Sequence, residues 1–184
     1  MADLKGDTLM GTCATATMAS GAYTHGRVKL DWSRYTVQGS LHYNGLVLPG
    51  SFTFLRAWSD TTVDGKAFKA GGGSLKFQDS SGVVSNEVAY AYPPLPQQPG
   101  ITTTTVGGEF LMTFEYKKPL PIVKGAPGQH WARFHWHVLD GFRWQEAQEP
   151  KFTKGVWDVV PPPGVSEPVI FAGATAYYVT SSED

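Results

Sequence analysis

Polar and apolar residues alternate with period two over most of the chain, the spacing of strands that bury one face. The clearest case is 34–43, where Tyr35, Val37, Gly39, Leu41 and Tyr43 share one side. Arg34, Thr36, Gln38, Ser40 and His42 share the other. Asn44-Gly45 follows and predicts a two-residue hairpin turn, because type I′ geometry needs positive φ at both central positions. The pattern returns over 46–48, breaks at Pro49-Gly50 and resumes over 51–58. Asp64-Gly65 and Gly107-Gly108 predict two more tight turns. Strands are expected over 24–30, 75–79, 83–92, 101–106, 109–116, 155–160 and 169–180, with 12–19 as a first strand of small residues in preference to a helical turn, and 117–128 as a loop. No segment longer than a turn or two combines helical spacing with caps. The expected fold is all-β, an antiparallel β-sandwich or open β-barrel of about ten strands, rich in meanders.

A chain of 184 residues suits a single domain spanning 1–184 with a sizeable core. The Pro-rich run at 93–100, PPLPQQPG, cannot hold a regular ladder. It reads as a crossover between sheets, or as a boundary if the chain forms two small domains. The glycines of 70–75, AGGGSL, lack phosphate-loop spacing and read as a turn or bulge.

Charge changes the picture by exclusion. Fifteen Lys and Arg stand against sixteen Asp and Glu with no block of either sign, so no nucleic-acid partner is expected. No apolar run reaches the length of a membrane span. Cys13 is the only cysteine, which excludes an internal disulfide; with no leader visible at the start, the expected location is cytoplasmic. A homo-oligomer is compatible with all of this.

The stretch 129–149, QHWARFHWHVLDGFRWQEAQE, holds three of the five histidines and three of the six tryptophans. An Asp140-Gly141 turn would pair Leu139 with Phe142, His137 with Trp144 and His135 with Glu146. Ala132, Phe134, Trp136 and Val138 would then face a core. Trp131, Arg133, His135, His137 and Leu139 would share the opposite face with Phe142, Trp144 and Glu146. A carboxylate opposite an imidazole favours the imidazolium, which makes His135 and Glu146 the best acid–base pair, with Arg133 placed to hold an anion.

Three functions compete for that face. The first is a binding protein whose aromatic and histidine-lined sheet face takes a small molecule or glycan through Trp131, Phe142, His137 and Trp144. The second is a cofactor-free barrel enzyme using His135, Glu146 and Arg133. The third is a structural, toxin-like or assembly subunit with no small-molecule site. The pair His135-x-His137 also has the spacing of two metal ligands on one strand, as in cupin barrels. Here Asp140-Gly141 falls where the cupin motif carries its Glu, and no histidine follows His137, so neither metal nor cofactor is expected. Trp32-Ser33-Arg34-Tyr35 echoes Trp131-Ala132-Arg133-Phe134, each putting Trp and Arg on one face and an aromatic ring on the other.

Overall fold

The structure, a computed structural model, describes residues 12–85, 87–90, 92, 95, 97–126 and 130–184. Among them the regular secondary structure is nearly all strand, and the only helical element is a 3₁₀ turn, Thr15–Thr17. That turn replaces the strand expected over 12–19, whose small side chains bury nothing. The strands in order are β1 (Gly21–Leu30), β2 (Trp32–Tyr43), β3 (Leu46–Ala57), β4 (Thr61–Val63), β5 (Lys66–Phe68), β6 (Gly73–Asp79) and β7 (Val88–Ala89). There follow β8 (Ile101–Val106), β9 (Glu109–Ile122), β10 (Ala132–His137), β11 (Phe142–Trp144), β12 (Trp157–Val159), β13 (Val169–Ala172) and β14 (Ala176–Ser181). Among the described residues no helix is long and apolar enough to cross a membrane.

The sheets are open rather than closed into a barrel. One has the order β1-β9-β8, and a larger one has the order β12-β2-β3-β6-β7. All pairs are antiparallel except β12 with β2, which run parallel in register Trp157↔Gly39 to Val159↔Leu41. The turns at Asn44-Gly45, Asp64-Gly65 and Gly107-Gly108 form as predicted, with positive φ at both central residues of each. Pro49 does not interrupt β3: it pairs with Ser40 of β2 and lies just beyond the end of the β3–β6 ladder, where a missing N–H costs no bond. Likewise β9 runs on through Pro119 and Pro121, because β8 has already ended, Pro121 pairs only with Ala22 of β1, and Pro119 lies in the register break between Tyr23↔Leu120 and His25↔Glu115. The strand expected over 83–92 is reduced to β7 and an isolated bridge, Gln78↔Val84. Pro93, Pro94 and Pro96 of the proline-rich run lie outside the described residues; Leu95 packs on the core.

The central hairpin does not form. Within 138–141 the chain loops out without reversing onto itself: β10 pairs with β14, Ala132↔Ser181 to His137↔Ala176, and β11 pairs with β13, Phe142↔Ala172 to Trp144↔Val169. These two ladders share one direction and nearly one register, so together they make a single long ribbon with 138–141 bulging from it. Gly141 N–H donates to Val138 O at 2.9 Å, and Gly173 and Thr175 N–H donate to Gly141 O and His137 O at 2.8 and 2.9 Å, which ties the bulge to the partner strand. Asp140 has φ +53°, while Gly141 is outside the left-handed region, so type I′ geometry is absent.

The ribbon covers two apolar clusters. Through β10 and β14 it lays Phe134, Trp136, Tyr177 and Val179 on Ile101, Met112 and Phe114 of the first sheet. Through β11 and β13 it lays Phe142, Trp144 and Val169 on Phe52, Phe54, Phe77 and Trp157 of the second. Cross-strand aromatic contacts of this kind are worth about 0.5–1.5 kcal/mol each beyond the area they bury. Trp58 packs on the first cluster, with ring centroids 5.2 Å from Phe110 and 6.4 Å from Trp136, and the Arg56 guanidinium lies 3.9 Å from its ring centre and 5.4 Å from that of Tyr92 in the second. Burial pushes the Tyr35, Tyr90 and Tyr92 hydroxyls upward from their ordinary range and lowers the Arg56 guanidinium.

Candidate functional site

The two sides of β10 are those its alternation predicts. Phe134 and Trp136 enter the first cluster, and Arg133, His135 and His137 take the other side. Pairing with β14 then decides what joins them. His135 sits opposite Tyr178, and their rings stack with centroids 4.4 Å apart at 10°. The His137 ring stacks on the same tyrosine at 5.5 Å and 23°. His135 Nε2 is hydrogen-bonded to Thr180 Oγ1 at 2.8 Å, which holds the imidazole in place. Arg133 lies over the Trp131 ring, 5.3 Å from its centre. This surface is open to solvent, with Trp131 46% and Tyr178 44% exposed.

The structure therefore divides the expected site. Trp131, Arg133, His135 and His137 remain together on one face. Phe142 and Trp144 do not join them: both pack in the second cluster, with the Phe142 ring 5.0 Å from Trp157 and 5.5 Å from Phe54. Glu146 does not face His135, because its carboxylate accepts a hydrogen bond from Gly155 N at 2.5 Å. Leu139 is 81% exposed on the bulge, and Val138, expected in the core, is 48% exposed beside it. All five departures have one cause. The strand across from β10 is β14 and not the segment just after Gly141, so the pairs generated by a local turn do not exist.

Glu146 instead lines a cleft of about 970 Å³ at the far end of β2, together with His42, Leu46, Glu149, Lys151 and Phe152. At its floor His42 Nε2 lies 2.6 Å from Asp158 Oδ1, the histidine side chain being 10% exposed and the aspartate fully buried. Asp158 Oδ2 accepts from Thr153 N at 2.7 Å. Glu167, also buried, accepts from Asp158 N at 2.8 Å and Ala147 N at 2.9 Å. The alternation of β2 places His42 on its polar side, but Asp158 was visible only as an acid inside an apolar strand. The parallel pairing of β12 with β2 brings the two together.

Tyr178 and Thr180 likewise gain a role only through the pairing. The echoed tetrapeptides do adopt similar local geometry: Arg34 lies over Trp32 at the same 5.3 Å, and Tyr35, like Phe134, faces a core. Among the described residues no group of three His, Cys, Asp or Glu side chains converges as a metal centre requires. Comparison of the chain with protein-family models, with curated protein sequences and with solved structures gives no match.

Proposed function

We propose that this is a binding protein that presents the outer face of β10 and β14 to a glycan. The observation that carries the reading is the exposed stack of Tyr178 on His135 and His137, flanked by Trp131 under Arg133. A sugar offers an apolar C–H face and a rim of hydroxyls. The aromatic surface accommodates the first, and imidazole, phenol and guanidinium groups meet the second. Stacking and the Thr180 hydrogen bond hold the rings before any ligand arrives, which lowers the ordering cost of binding. A flat, wet face suits a saccharide better than a small molecule that needs enclosure. The companion reading of the architecture is one β-sandwich-like domain spanning the chain, and an exposed thiol at Cys13 suits the reducing cytoplasm.

The test is a glycan microarray followed by titration calorimetry on the best ligand. Tyr178→Ala and Trp131→Ala, both at exposed positions, are expected to weaken binding at least about tenfold, the size of one lost aromatic contact, with little change in folding stability. Failure of the protein to retain any glycan, or retention unaffected by both substitutions, removes this reading.

A further inference from the structure

The trough on the polar side of β2, β3 and β6 pairs most of its own charges, Arg34 with Asp64 and Lys66 with Glu87, and Lys76 alone there specifies no ligand. The exposed apolar tip at Val138 and Leu139 has nothing beside it that specifies an occupant. The cleft at the end of β2 is different. We propose that it is a second ligand site, separate from the ribbon face. It takes a small apolar molecule through a hydrogen-bond-donating head, an alcohol or an amine, seated on His42.

The argument begins with Asp158. A fully buried carboxylate is costly unless its oxygens are satisfied, and here one meets His42 Nε2 and the other Thr153 N–H. In the neutral imidazole that contact sets the tautomer: Nε2–H faces the carboxylate, which leaves the Nδ1 lone pair as an acceptor. Nδ1 has no hydrogen-bond partner among the described residues and is not a buried atom, and His42 lines the cleft. Phe152 packs against the imidazole at 5.1 Å and holds it from the side. A buried carboxylate–imidazole hydrogen bond is a weak way to staple two strands, since apolar side chains of equal volume hold them as well. The arrangement is, however, what an oriented acceptor at the base of a cleft requires.

The walls select the rest of the ligand. Leu46, Phe152, Val160, Val165 and neighbouring prolines give the cleft an apolar lining that suits a ring or short hydrocarbon. Two carboxylates, Glu146 and Glu149, face one ammonium, Lys151, so an anionic head is disfavoured and a neutral or cationic donor is favoured.

Benzyl alcohol, benzylamine and benzoate share one ring and differ only in the head, so they make a matched probe set for NMR titration of the full chain. Benzyl alcohol and benzylamine are expected to shift the His42 ring resonances saturably, with benzoate at least tenfold weaker. His42→Phe keeps a ring against Phe152 but removes the acceptor, and should weaken both binders at least tenfold. Leu46→Trp fills the cleft from an exposed wall position and should abolish their binding; it keeps the test decisive if His42→Phe does not fold. Trp131→Ala should leave all of these titrations unchanged, so failure of the glycan reading and failure of this one are separable. Benzoate binding as tightly as benzylamine, or saturable binding that leaves the His42 resonances unmoved, overturns the proposal. So does the absence of binding by all three probes at millimolar concentration.

Discussion

Asn44-Gly45 and Asp140-Gly141 offer the backbone nearly the same turn chemistry, yet they sit in different structures. At the first, both residues take positive φ and the flanking strands zip together in one unbroken register, Tyr43↔Leu46 to Trp32↔Ala57. At the second, the chain bulges and moves on, and the strands on either side pair with residues twenty-five or more positions further along. The difference lies in what the flanks can gain. After Gly45, the apolar side of β3 carries Phe52 and Phe54 into the same cluster that β2 lines with Tyr35, Val37 and Leu41. After Gly141, folding back would set Phe142 and Trp144 beside His135 on a wet face. Pairing with β13 and β14 instead buries Phe142 among Phe54 and Trp157 and stacks Trp136 on Tyr177 at 5.6 Å. Several aromatic contacts outweigh one favourable turn.

Substitutions can break or sharpen this contrast. The largest effect is expected from Phe142→Ala, which removes a ring shared by Phe54, Trp144 and Trp157 and should lower unfolding free energy by about 3 kcal/mol in a denaturant titration. A loss below about 1 kcal/mol would mean that β11 does not depend on the second cluster. Gly45→Ala is expected to cost about 1–2 kcal/mol by the same measurement, because its φ of +77° is strained for any residue with a Cβ although the space around it is empty. The smallest effect should come from Leu139→Ala. A hairpin at Asp140-Gly141 would set Leu139 against Phe142, whereas a residue 81% exposed on a bulge should change stability by less than about 0.5 kcal/mol. A loss comparable to that of Phe142→Ala would restore the hairpin.

Alternation along the sequence was enough to assign sides. Tyr35, Val37 and Leu41 point to one core, and Phe134 and Trp136 to the other, as period two requires. It also located the three turns whose flanking strands had no better partner. Alternation carries no information about which strand lies next door. The ribbon, the parallel seat of β12 beside β2 and the 116-residue separation of His42 from Asp158 all depend on long-range pairing. Half of the expected binding face survives for that reason. Trp131, Arg133, His135 and His137 follow from local geometry on one strand; Phe142, Trp144 and Glu146 needed a partner choice that the molecule makes differently.

The ribbon also sets an order of events during synthesis. Strands β1 to β6, β8 and β9 all leave the ribosome before residue 132, yet the apolar faces of both sheets are covered by β10, β11, β13 and β14. At about 5–20 residues per second, residues 132–181 arrive over several seconds more. Through that interval Phe52, Phe54, Met112 and Phe114 lack this covering, so the nascent chain is most vulnerable to sticking before β10 to β14 have emerged.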